Sequence, residues 1–381
     1  MTWLRSFPRI PWADPVIEDE EKRSVADVLD NGRLTQGPRV ADFERRMADH
    51  LGVEFAVAVS SGTTALEIIF QALEIGRGDE VIVPSMTYFA TAASVSRTGA
   101  TPVFVDIHPS TFNLDAARVE TAVGPRTRAI VFIDFGGTVA AHEELTVVAR
   151  RHGLLLIQDA AQSLGASRDG RPVGADAPYS AMSFHMAKML TTVEGGMVFT
   201  SDGDVASRVR ELRSQGEGKK GVHTSMGTNA RMTELQAAIG LAQCERMGAL
   251  WRGREELSRY YTEKFRDIEG VHVVAPVRPG VENGNFLFRV LLNSRKKVCQ
   301  AFDSTGIEFR ITYPRPVYRQ PAYTAGNFPY RVTESPVSEW FARRVLALPM
   351  SSRMSESDRE LICTTLLKAV KGSARGSASR P

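Results

Sequence analysis

The sequence predicts an α/β protein: a large domain with a mostly parallel sheet flanked by helices, followed by a smaller C-terminal α+β domain. Three observations carry this expectation. From about residue 16 to 245, helical patterns alternate with short apolar runs, the rhythm of strand–helix–strand units. Those runs are apolar at consecutive positions rather than at every second one, as in strands buried on both faces. Past Met247 the rhythm breaks into a long charged helix, further short strands and a Pro-rich stretch.

In chain order, the strand candidates are Val81-Ile-Val-Pro84, Thr101-Pro-Val-Phe-Val-Asp106, Ala129-Ile-Val-Phe-Ile-Asp134, Leu154-Leu-Leu-Ile-Gln158 and Gly196-Met-Val-Phe-Thr200. Between them, Leu66 to Leu73 has the apolar spacing of a helix, and Leu145 to His152 repeats it before stopping at Gly153. Glycine ends helices because it enters left-handed geometry without penalty. Arg252 to Arg266 reads as an amphipathic helix leading to Val271-His-Val-Val274, to Phe286–Leu292 and to the Pro-rich stretch from Tyr313 to Pro321. A helix around Asp358 to Val370 closes the pattern. The expected divisions are an N-terminal arm (1–15), the large cofactor-binding domain (16–246), the small C-terminal domain (247–370) and a disordered tail (371–381).

A chain of 381 residues has ample apolar content for a large core. Its net charge of +3 is close to balance, which argues against nucleic acid as the main ligand. Part of that excess comes from Lys368, Lys371, Arg375 and Arg380 in a tail of Gly, Ser and Ala. Cys244, Cys299 and Cys363 are widely spaced and form no Cys-x-x-Cys pair, so neither a metal site nor a disulfide framework is expected, and a cytoplasmic setting fits. The N-terminus carries no long apolar segment, so no secretory signal or membrane span is expected.

The chemistry concentrates at Lys188, within Ser183-Phe-His-Met-Ala-Lys-Met-Leu-Thr-Thr-Val-Glu-Gly-Gly196, and at Asp159, which ends an apolar run. A lysine among apolar neighbours can serve as a neutral amine nucleophile, and an aspartate at the end of a buried strand can hold a cationic ring nitrogen. Ser60-Ser-Gly-Thr-Thr-Ala65 opens a helix whose free amides and hydroxyls suit a phosphate. Singly, these are an ordinary surface charge and two ordinary helix caps. Together they meet the needs of pyridoxal phosphate: a lysine to bond its aldehyde, a carboxylate for its ring nitrogen and donors for its phosphate.

Asp159-Ala-Ala-Gln162 and the lysine motif resemble the DegT/DnrJ/StrS family of sugar aminotransferases, which have the aspartate-aminotransferase type of fold. The resemblance runs from Leu34-Thr-Gln-Gly37 through Gly78-Asp-Glu-Val-Ile-Val-Pro84 and Gly227-Thr-Asn-Ala-Arg-Met232 to Tyr313-Pro-Arg-Pro316. It implies Lys188 and Asp159 as catalytic residues, with Thr63, Thr64 and Ser183 at the cofactor phosphate. It implies Tyr88 stacked on the ring and Gln162 at the phenolic oxygen. Asn229 is implied to reach the phosphate from the neighbouring chain, which makes the active unit a homodimer with shared sites. His185, Arg231, Tyr313 and Arg315 are candidate substrate contacts, as are Arg310 and Arg319. Val193 and Met189 depart from the family pattern, which usually has Gly and often has Asn at those positions.

The resemblance further implies an aminotransferase that moves an amino group from an amino acid, with L-glutamate the expected donor, to a keto group of a nucleotide-linked deoxy sugar, with pyridoxamine phosphate as the intermediate cofactor form. A keto-cyclitol acceptor is an alternative. A sugar dehydratase on the same scaffold goes with His in place of the lysine, which Lys188 argues against, and a non-enzymatic cofactor-binding regulator is disfavoured by the intact Lys188 and Asp159.

Overall fold

The computed structural model describes residues 9–274 and 278–371. Arg375, Arg380 and the rest of the expected tail beyond 371, like the first eight residues of the expected arm, lie outside the described residues. Among the described residues no helix is long and apolar enough to cross a membrane.

Eight strands form the central sheet: β1 (Phe55–Val59), β2 (Glu80–Pro84), β3 (Thr101–Val105), β4 (Thr127–Ile133), β5 (Leu155–Asp159), β8 (Tyr179–Ser183), β9 (Gly196–Thr200) and β15 (Arg331–Val332). Their order is β1-β9-β8-β5-β4-β2-β3-β15. From β8 to β15 every neighbouring pair is parallel, while β9 runs antiparallel to both β8 and β1. Two short ribbons, β6 (Ser167–Arg168) with β7 (Arg171–Pro172) and β13 (Val281–Glu282), and β10 (Glu217–Lys219) with β11 (Val222–His223), stand outside it.

Side-chain direction alternates along a strand, and here both directions meet apolar cover. Val81 and Val83 pack with Ile69 and Phe70 of helix α3 (Gly62–Ala72), whereas Ile82 between them packs with Leu145 and Val148 of the helix His142–His152. This is why the run shows no polar alternation. As expected, Gly153 ends that helix in left-handed geometry at φ +64°. Phe104 of β3 meets the rings of Tyr318, Tyr323 and Tyr330, so Phe104→Ala should cost about 3–5 kcal/mol and loosen that segment. Glu80, 2% exposed, pairs with Arg126 and with Arg331, which ties β15 to the sheet edge.

The remaining strands, β12 (Val271–Val273), β14 (Phe288–Leu292) and β16 (Val345–Leu348), form an antiparallel sheet. Its core joins them to Leu257, Tyr261 and Phe265 of the helix Met247–Phe265 and to Ile362 and Leu366 of the helix Glu356–Lys371. Ile10 pairs with Ile307, and Trp12 N donates to Glu308 Oε2 at 2.9 Å, so the N-terminal segment docks here.

Candidate active site

The carboxyl ends of β4, β5 and β8 open onto one cavity of about 440 Å³, the place where open parallel sheets bind ligands. Lys188, Asp159, Gln162, Ser183, Thr63 and Tyr88 all line it. Residues far apart in the chain converge because the strand ends do.

Lys188 sits in the loop from β8 to β9. Phe184 N donates to Gly195 O at 2.9 Å, Thr192 N to Phe184 O at 3.0 Å and Lys188 N to His185 O at 2.8 Å, which close the loop around the lysine. Its ammonium lies 4.3 Å from the centre of the Phe286 ring. Burial pushes its pKa down to about 8, Asp159 opposes that shift and the Arg254 guanidinium adds to it. Asp159 ends β5 and is 4% exposed. Thr91 Oγ1 donates to its Oδ2 at 2.7 Å and Ala161 N to its Oδ1 at 3.2 Å. Burial still raises its pKa, so this carboxylate gains most from a cationic partner.

The phosphate-like corner is built by helix α3. Ser61 caps it, its Oγ accepting from Thr64 N at 3.1 Å, and the first-turn amides of a helix have no partner within the helix. A Cβ on Gly62 would stand 2.7 Å from Ser183 Cβ, and one on Gly196 would stand 2.3 Å from the Ser61 carbonyl. Those two glycines therefore let the helix start, the end of β8 and the start of β9 meet at one point. Thr63 faces the cavity, while the Thr64 hydroxyl is engaged with Ser61 Oγ at 2.8 Å and does not line it.

Gln162 Oε1 accepts from Gly136 N at 2.6 Å, which fixes the amide and leaves its NH₂ to donate. That NH₂ serves Tyr313, whose ring stacks on Phe135 at 5.8 Å. Tyr88, 56% exposed, presents a free ring 6.0 Å from Tyr313. His185 Nδ1 accepts from Ala187 N at 3.2 Å, and its Nε2 lies 3.7 Å from Glu194 Oε1. Arg310 lines the cavity mouth over the Trp12 ring and pairs with Glu308 at 2.5 Å.

Several predicted residues lie elsewhere. Arg231 continues the edge of β1 as a bridge to Val59, Arg315 is exposed away from the cavity, and Arg319 donates to Glu339 at 2.9 Å. Asn229 is exposed, bridged through its backbone to Ser214, and does not line the cavity of its own chain. Trp12, Leu66, Phe286 and Thr312 line the cavity without having been singled out in the sequence. Phe286 had one signal, an aromatic at the start of an apolar run.

The family model for the DegT/DnrJ/EryC1/StrS aminotransferases matches residues 15–367. The chain belongs to this family. The likeness extends over nearly the whole chain. It is 37% identical to GDP-perosamine synthase of Caulobacter vibrioides, over 95% of this chain and 99% of that protein. The crystal structure of DesV from S. venezuelae superposes with a TM-score of 0.90 at 36% identity, covering 97% of this chain and 100% of that one. The PLP-form of the putative sugar aminotransferase Spr1654 from Streptococcus pneumoniae matches with a TM-score of 0.89 at 28% identity, covering 95% and 99%.

Proposed function

We propose that this protein is a pyridoxal-phosphate-dependent aminotransferase that moves an amino group from an amino acid, L-glutamate by preference, to the keto group of a nucleotide-linked deoxy sugar. The observation that carries the reading is the meeting of the Lys188 amine, the buried Asp159 carboxylate and the start of helix α3 in one cavity. The residues present suit the cofactor. A buried carboxylate with a raised pKa calls for a cation, a helix start cramped by Gly62 against Ser183 offers amides to an anion, and a partly buried amine is poised to lose its proton. GDP-perosamine synthase and the PLP-form of Spr1654 support the substrate class and the cofactor.

When bound, pyridoxal phosphate supplies an electron sink for the charge left on carbon and carries the amino group between donor and acceptor. The protein does the rest. Gly62, Thr63 and Ser183 would hold the phosphate, with Asn229 of a second copy of this chain completing the site in a homodimer. Tyr88 would cover the ring face, Gln162 would donate to the phenolic oxygen, and Asp159 would hold the proton on the ring nitrogen. Lys188 would take the α-proton of the donor as a base and, once protonated, would give it back as an acid. Its depressed pKa keeps the amine neutral enough for the first step near neutral pH. Arg310 at the mouth is the anchor for an anionic group of the substrate.

Borohydride reduction of the purified protein followed by peptide mapping tests the reading. The cofactor mass is expected on the peptide that carries Lys188, and its appearance on any other lysine would overturn the assignment.

A further inference from the structure

Helix Met247–Phe265 contributes a side chain that the reaction above does not use. Arg254 is 7% exposed, and among the described residues its only hydrogen bond is from Nη1 to the Phe286 carbonyl at 3.1 Å. Among the described residues no carboxylate lies within ion-pair distance of it. A buried guanidinium without a counter-ion is expensive, and burial lowers its pKa to about 10. The fold nevertheless keeps this charge on the backbone carbonyl of Phe286, the residue whose ring lies 4.3 Å from the Lys188 ammonium.

We propose that Arg254 is a positioning residue for Lys188: an unpaired guanidinium that pins the Phe286 backbone beside the amine and, by like-charge repulsion, adds to burial in favouring the neutral, nucleophilic form of that amine. The inference rests on the reading of Lys188 as the cofactor-bearing base. The other charged groups around Lys188 do not supply this repulsion. Asp159 at the end of β5 pulls the other way, and the Phe286 ring face also favours the cation. His185 lies beside Glu194, and Arg310 sits at the cavity mouth, paired with Glu308 and turned to the Trp12 ring rather than to the amine. Tyr313 is neutral, its pKa raised by burial. Arg254 is the cation left to offset Asp159.

The amine can be titrated without turnover. Acetic anhydride acylates neutral amines, so the rate of Lys188 acetylation in the full chain freed of cofactor, read by peptide mass from about pH 6 to about 10, gives the midpoint directly. Exposed Lys22 serves as the rate control. Arg254→Gln keeps a donor for the Phe286 carbonyl but removes the charge. It should move the Lys188 midpoint up by about half a unit to one unit, slowing acetylation at pH 7 about threefold to tenfold. Arg254→Lys should restore the original midpoint. Arg254→Met, an apolar side chain of similar reach, makes the same prediction as glutamine if the glutamine variant does not fold. An unchanged midpoint in a folded, charge-free variant overturns the inference, as does a lysine variant that behaves like glutamine. Failure of the aminotransferase reading shows separately, as absence of the borohydride-trapped cofactor on Lys188.

Discussion

Replacing Val193 by glycine is expected to stabilise the protein. Val193 adopts φ +71°, a left-handed conformation that costs an L-residue about 1–2 kcal/mol and is least tolerated by β-branched side chains. The turn is held in place by its neighbours: Val193 N donates to Thr191 Oγ1 at 2.9 Å, and Thr192 Oγ1 donates to Glu194 O at 2.7 Å. Glycine relieves the strain but frees the unfolded chain by about 0.5–1 kcal/mol. With 56% of the valine exposed, little burial is lost. The balance is a gain of about 0.5–1 kcal/mol. Urea unfolding is the assay, because the midpoint should rise while the slope stays constant. Val193→Ala retains the left-handed penalty without the branch and should gain less than glycine. A glycine variant less stable than the parent, or an alanine variant more stable than both, would refute the reasoning.

Asp159→Asn should retain cofactor yet slow the half-reaction with glutamate by about 10²–10³-fold, because an amide cannot hold the ring proton as a carboxylate does; stopped-flow absorbance of the bound cofactor reports it. Mixing Lys188→Ala with Asn229→Asp should restore activity in proportion to the heterodimer fraction, since the mixed pair has one site with both lesions and one with neither; no recovery in heterodimers verified by mass excludes the shared site. Asp134 is held in the fold by bonds from Gln158, Ser163 and the Ala140 amide, yet burial raises its pKa from 3.8 to about 6. Its raised pKa favours the fold fully below about pH 4, and that contribution, about 3 kcal/mol, is lost as pH rises through 6. Denaturant midpoints of the parent should therefore fall relative to Asp134→Asn between those pH values, and parallel pH profiles would contradict this.

The strands that could be read in the sequence were the ones whose chemistry is uniform. Val81–Pro84 and Ala129–Ile133 are buried on both faces and consist of large or β-branched apolar residues, so position alone reveals them. Phe55–Val59 is also an unbroken apolar strand, passed over in the sequence although it carries the same signal, whereas in Tyr179–Ser183 two serines interrupt the apolar residues and leave no hydrophobic run. Antiparallel β9 was visible as a strand but not in its direction, which depends on where the lysine loop turns the chain. Lys188, Asp159 and Ser183 were legible because each stands in a local motif. Phe286 and Trp12 were not, since their place at the cavity is created by contacts between segments far apart in the chain, and Arg254 comes near only through its bond to the Phe286 carbonyl. Thr64 shows the converse: the motif is right about the turn, but the cap bond to Ser61 takes the hydroxyl that its neighbour Thr63 leaves free.

The cavity wall draws on Trp12 at one extreme and Tyr313 at the other, which sets an order of events while the chain is being synthesised. At about 5–20 residues per second, the stretch between Lys188 and Tyr313 takes on the order of ten seconds to emerge from the ribosome. Phe286 arrives only late in that interval and Thr312 and Tyr313 only at its end, so until then the amine of Lys188 stands in water and keeps its proton. Trp12, among the first residues made, has no Glu308 to dock against. The nascent chain can pair the seven strands from β1 to β9 that belong to its central sheet without gaining a reactive amine. Its nucleophile comes into being only when the late-made wall closes over it, so cofactor capture is deferred until Tyr313 has been made.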